Sequence, residues 1–459
     1  MLQACTSQHE QAGSMFCIVA ASYATAVTPF HDQIKKPKMI FKSLHYTLLI
    51  TVLCTLPASA EDFQGSDHPI DYDEEPVNYS KVQPHNKIED LQVKINSGAV
   101  TIAWDEKFGY LPAVMEALGI PKSSQTLVFS KTSLQRKLIS PANPRSLYFN
   151  DDIYAGYIPG APVMEFSIAD PKIGAAFYSV VQDKAAPPSF VRNSDCMQCH
   201  GAQRSLGVPG HFMRSVPTDT TGELDVTGEA NDMTHCAPLA DRWAGWYVTG
   251  KHGAQQHRGN LVGLKAYERA KSEPGLNGNL TELDKYFDQD SYPAKGSDIV
   301  ALMVLAHQTH MHNYIARMNL ETRQMMAMYG HTRYLRHQTE AFLRYILFTE
   351  EATLTEPVEG NPHFITDFTA QSVRDSKGRS LRDLDLKTRL FKYPCSFLIY
   401  SESFDAIPAV MRDQILQALH DILTGKNTDP QFAHIPAEDR LAILEILRET
   451  KPNLPGYWR

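Results

Sequence analysis

Asp195-Cys196-Met197-Gln198-Cys199-His200 places two thiols two residues apart, with an imidazole directly after the second. C-x-x-C-H is the attachment signature of c-type haem. Thiols at this spacing reach the vinyl groups on one porphyrin edge and add to them as thioethers. The adjacent imidazole nitrogen, neutral and borderline-soft, suits iron. Cys196 and Cys199 are therefore expected to hold one covalent haem c, with His200 as an axial iron ligand. A thioredoxin-like dithiol would instead need a βαβ setting, and here the motif follows the Pro-rich turn 185–188. A structural zinc site would need a second Cys/His pair at matching spacing, and Cys236 and Cys395 are single and far apart.

The other side of the iron decides what such a haem does. Methionine or histidine there gives an electron-transfer centre, whereas an open site would bind peroxide, NO or CO. Met303, His307 and Met311 recur every four residues and share a helix face, with His310 beside that face and His312 pointing away. A Met stripe of this kind is ordinarily core. His252 and His257 lie in a glycine-bearing loop and form a second group; its bland reading is a surface loop. His211 and Met213 are a third option, and Met233 and His235 a weaker one. The candidate second ligands are thus His307, His257, His252 and Met311, with histidine favoured over methionine. Cys236 and Cys395 could pair as a disulfide or stay as separate thiols. Trp243, Trp246 and Tyr247 could face a porphyrin, although an ordinary core is the simpler expectation.

The N-terminal 60 residues bear on where this chemistry would occur. Residues 39–60 carry a basic n-region at Lys42, an apolar stretch over 47–56 and the small-x-small triplet Ala58-Ser59-Ala60. That is the pattern of a signal peptide cleaved near Ala60, and the apolar stretch is short for a membrane span. Residues 1–38 read as an extension upstream of the true start at Met39. Cleavage would remove four of the 44 basic residues and two of the 52 acidic ones, taking the net charge from −8 to −10. Acidity at this level argues against nucleic acid as a partner. It is compatible with an unidentified redox partner protein. The mature chain is expected in the periplasm or secreted, without a transmembrane span, and its four remaining cysteines would meet an oxidising environment.

The elements that must position the motif read as α+β. Residues 61–85 are an extended acidic leader. Residues 86–190 suggest a mostly antiparallel sheet with helices over 87–96 and 111–118 and strands over 100–104, 127–129, 147–149, 163–168 and 176–181. Residues 191–296 hold the haem motif in a loop-rich region, with strands over 212–216 and 243–249. From 297 to 459 the pattern is largely helical. One helix capped by Ser297 or Asp298 runs to about residue 328, others cover 333–349, 409–423 and 437–448, and a linker-like loop lies near 355–385.

Several blocks resemble an uncharacterised family of large exported monohaem c-type cytochromes of environmental bacteria. They are SSQTLVFSKTS (123–133), PRSLYFNDD (144–152), CMQCH with GVPGHFMRSV (207–216), PLADRWAGWYVTGKHG (238–253), SDIVALMVLAHQTHMHN (297–313) and RDLDLKTRLFKYPCSFLIYS (382–401). Together they span most of residues 70–458. The resemblance implies an exported haem c protein and gives no substrate. It marks His252, His257, His307 and Met311 as positions of the family pattern. This chain departs from that pattern at Arg258, where the family is expected to carry methionine.

Three functions follow from one haem. The first is single-electron transfer, so the chain is expected to be a carrier rather than a catalyst. The second is a haem enzyme, peroxidase-like or a small-molecule oxidoreductase, with an open sixth site and Arg214, His252 or His257 to polarise a bound oxygen species. The third is a haem-based ligand sensor. No Walker loop, Rossmann glycine fingerprint or H-E-x-x-H string is present in the sequence.

Overall fold

Pairing of short strands across tight turns builds the centre of the molecule. In the computed structural model, which describes residues 70–225 and 230–459, strands β1 (Thr126–Val128), β2 (Arg145–Phe149), β3 (Ile153–Tyr157), β4 (Val163–Asp170), β5 (Gly174–Val181) and β6 (Val191–Arg192) form an antiparallel meander. A two-stranded ribbon follows, β7 (Arg214–Ser215) with β8 (Asn231–Asp232). Then β9 (Trp246–Tyr247) returns to pair with β1 and makes the sheet seven-stranded, in the order β6-β5-β4-β3-β2-β1-β9. The β4–β5 turn shows how local chemistry fixes the register. The Asp170 carboxylate accepts the amides of Lys172 and Ile173, and Gly174 takes φ +80° so that the chain can reverse.

Alternation gives the sheet two faces. Tyr148, Ile153, Phe166, Ile168 and Tyr178 point to one, where helices α1 (Lys87–Asn96) and α2 (Leu111–Ala117) cover them. Asn86 caps α1 by accepting the amides of Ile88 and Glu89, and its own amide ties the cap to Asp170 and Tyr178 of the sheet. The opposite face carries Phe149, Tyr154, Glu165, Ser167 and Phe177.

Helix α3 (Met197–His200) carries the motif, and α4 (Leu264–Ser272) lies in the following loops. Helix α5 (Ile299–Tyr329) is 31 residues long and is buried on nearly every side of its first five turns. An apolar run there is expected of an enclosed helix. Its buried polar groups are paired to distant backbone: Gln308 donates to Asn150 O, the His312 ring bonds Asp151 O, and Asn313 exchanges hydrogen bonds with His211. Helices α6 (Arg336–Ile346), α7 (Pro362–Ala370), α8 (Glu402–Asp405), α9 (Ala409–Leu423) and α10 (Ala437–Thr450) build out from α5. No described helix is long and apolar enough to cross a membrane.

The α+β expectation therefore holds, with the antiparallel sheet in the first half and most helices in the second. The expected strand at 100–104 is absent. Ile102 is buried and Trp104 packs edge-on against Tyr110 at 5.0 Å, but the segment has no ladder partner. The strands expected at 212–216 and 243–249 shrink to two residues each, the second because Trp243 and Gly245 take φ +70° and +82° and bend the chain. Helix α7 occupies part of the expected linker, and β3 arises where no strand was expected. The regions 86–190 and 191–296 share the seven-stranded sheet through β9, and residues of all three regions, Phe149 and Tyr154 beside α5 among them, meet in the largest core cluster. The signal-peptide and upstream-extension readings fall on residues 1–60, outside the described part, as do leader residues 61–69.

Candidate functional site

The motif leaves the sheet at its β6 edge. Asn193 accepts the Asp195 amide and starts a turn of 3-10 helix at 194–196 that continues into α3. In this helical form Cys196 and Cys199 stand three residues apart on one face, with His200 next to them. The thioredoxin setting is not present, because the surrounding sheet is antiparallel and α3 has four residues. Both thiols are free, Cys199 exposed and Cys196 half-buried. Burial, reinforced by the Glu165 carboxylate, pushes the Cys196 thiol up to about 11, the reverse of what a redox dithiol needs.

His200 is held on three sides. Its ring lies 4.7 Å from Phe177 of β5 and 4.7 Å from Phe212, and Nδ1 is 2.9 Å from the Gly210 carbonyl oxygen. A carbonyl only accepts, so Nδ1 must carry the proton. Burial lowers the His200 pKa, which favours the neutral ring. The neutral tautomer that results has its lone pair on Nε2. An imidazole fixed through Nδ1–H to backbone oxygen, with Nε2 left to bind, is the usual arrangement of a histidine metal ligand. The donor set therefore fits a haem c: two thiols on one helical face and a tautomer-locked imidazole.

The acidic leader closes over this motif. Arg192 donates to the carbonyls of Tyr79 and Val82 and lies over the Tyr79 ring at 4.6 Å. Tyr72 packs so closely on Gly201 that a Cβ there would lie 2.3 Å from the tyrosine oxygen. Beneath the motif, Arg145 and Glu165 form a 2.6 Å ion pair across the sheet.

The candidate second ligands are not gathered around His200. His307 is fully buried with both nitrogens bonded, Nδ1 to His235 Nδ1 at 2.9 Å and Nε2 to Ser396 Oγ at 2.7 Å. Met311 is core. His252 accepts the Asn279 amide through Nε2, and His257 accepts the Gly259 amide through Nδ1, in a loop knitted together by Asn260, Asn277 and Asn279. Burial holds His257 down to about 3. His211 comes nearest. It shares Phe177 with His200 (5.8 Å), bonds Ser167 Oγ through Nε2 at 3.0 Å and has its buried Nδ1 without a partner. Trp243, Trp246 and Tyr247 are core residues, and Cys236 and Cys395 are separate thiols. Among the described residues, no group of three or more His, Cys, Asp or Glu side chains is placed to hold a metal ion.

His310, which the sequence places beside the Met303–His307–Met311 face, lines an open cleft of about 560 Å³ beside the motif's own loop. No sequence signal marks the cleft, because its walls come from residues 203–241 and 310–350. Comparison with protein-family models, with curated proteins and with solved structures finds no match.

Proposed function

We propose that this chain is an exported c-type cytochrome that carries one haem on Cys196 and Cys199 and passes single electrons to a partner protein. The carrying observation is His200: the Gly210 carbonyl fixes its proton on Nδ1 and leaves Nε2 for iron. When bound, the haem iron supplies a one-electron couple. The chain's own contributions are positional. Phe177 and Phe212 hold the imidazole plane, and Gly210 sets its tautomer. The exposure of Asp195, Gln198 and Cys199 keeps the attachment edge at the surface, where a partner can approach.

The test is expression in a host that matures c-type cytochromes. Wild-type protein is expected to keep haem on a denaturing gel, and Cys196→Ala with Cys199→Ala to lose it. An unstained wild-type band overturns the reading. A second reading, a haem enzyme with an open sixth site, is favoured by the bonding of His307, His252 and His257 to other groups. The reduced absorption spectrum separates the two. Carrier function requires a low-spin form unchanged by CO, and a CO-shifted spectrum supports the enzyme.

A further inference from the structure

Residues 203–206, directly after His200, form one wall of the 560 Å³ cleft, and Tyr314, Tyr345 and His310 of α5 and α6 form another. Both of its guanidinium groups are already paired. Arg204 pairs with Asp232 at 2.7 Å, Arg344 pairs with Glu350, and Asp241 adds a further carboxylate. A phosphate or carboxylate ligand would find no spare guanidinium in these pairs.

The walls offer rings and two directed polar groups. Tyr345 donates its hydroxyl to His307 O at 3.2 Å, so that hydroxyl is already committed. Tyr314 lies 5.0 Å from it at 31°, and His310 lies 4.9 Å from it. The His310 ring makes no hydrogen bond among the described residues, and burial holds it neutral. Thr349 is 7% exposed, and its buried hydroxyl has no partner. The residues on either side, Phe348 and Glu350, take φ +57° and +67°. Left-handed backbone at a bulky aromatic residue is costly, and here the two strained residues bracket Thr349 at the cleft wall.

Rings, no spare guanidinium, an unengaged neutral imidazole and an unengaged hydroxyl select a flat, non-anionic molecule with hydroxyl groups. We infer that this cleft binds a small hydroxylated aromatic of the hydroquinone class, its ring against Tyr345 and its hydroxyls bonded to His310 and Thr349.

The test is anaerobic calorimetric titration of hydroquinone into the haem-loaded protein and into the Cys196→Ala, Cys199→Ala chain. Saturable binding is expected in both, so failure of the haem reading would leave this result standing. His310→Phe and Thr349→Val are each expected to weaken binding about tenfold, the worth of one good hydrogen bond. Two probes on the unaltered protein guard against misfolded variants. 1,4-Dimethoxybenzene, with its hydroxyls capped, and inositol, with hydroxyls but no aromatic ring, should each bind at least about tenfold more weakly than hydroquinone. No saturable heat at millimolar hydroquinone overturns the proposal. So does equal binding of either probe, or affinity unchanged in both folded variants.

Discussion

A histidine with both ring nitrogens hydrogen-bonded cannot take a metal without giving one bond up. His307 is in that position, fully buried between His235 and Ser396. His307→Ala is expected to cost about 2–4 kcal/mol of stability, from the cavity and from the stranded polar partners. The haem spectrum is expected to stay unchanged, and chemical denaturation with spectra of the folded variant would check both. A shifted spin state would return His307 to the list of ligands. Gly174→Ala probes the β4–β5 turn. Its φ of +80° disfavours a side chain, and a Cβ would sit 2.4 Å from the Pro209 carbonyl oxygen. A loss of about 2–4 kcal/mol is expected in urea unfolding. The proposed attachment set, Cys196, Cys199 and His200, could be read from the sequence because its spacing is contained in five consecutive residues. Whether a histidine such as His307 is free could not be read there, because that depends on partners such as Ser396, 89 residues away. His310 and Thr349 were hidden for the same reason: what singles them out is the absence of a partner in three dimensions.

Helices with strong local punctuation were also legible. Asp298 begins α5 by accepting the Ala301 amide at 2.8 Å, and it also accepts the Asn361 amide. Asp298→Ala is expected to cost about 2–4 kcal/mol, whereas Asp298→Asn, which keeps one acceptor oxygen for the Ala301 amide but turns a donor toward the Asn361 amide, should cost about 1–2 kcal/mol. Thermal unfolding of the two variants checks the difference, and equal losses would show that the negative charge matters more than the cap. Strands were harder to place. Residues 100–104 have the composition of a strand without a neighbour to pair with, while β3 contains Gly156 and has its register supplied by β2 and β4. Pairing partners decide such segments, and a single segment does not display them.

The whole molecule responds to acid through its buried imidazoles. Burial holds His257 down to about 3 and His310 to about 4, and lowers His211, His235 and His307 well below the ordinary 6.5. As pH falls through about 6.5 the unfolded chain takes up protons that the folded chain refuses, so stability drops until the folded values are reached. Two carboxyls oppose this. Burial raises Asp298 to about 6 and Glu351 to about 7, so each binds its proton first in the folded state and adds stability on acidification. The five imidazoles outnumber them, and the melting temperature is expected to be lower at about pH 5 than at about pH 7.5. A melting temperature that is level or higher at the acidic end would contradict this balance of protons.

The pairing of β1 with β9 joins residues 127–128 to residues 246–247. Zipping up a ladder between stretches so distant is entropically slow, and strands near in sequence form first. Until it happens, the intervening chain is an unclosed loop that contains both motif cysteines. Under the proposed function, an assembly enzyme acting on those sulfurs would meet them beside β6 on a nascent meander whose β1 edge is still unpaired, and the returning strand would complete the sheet at that opposite edge.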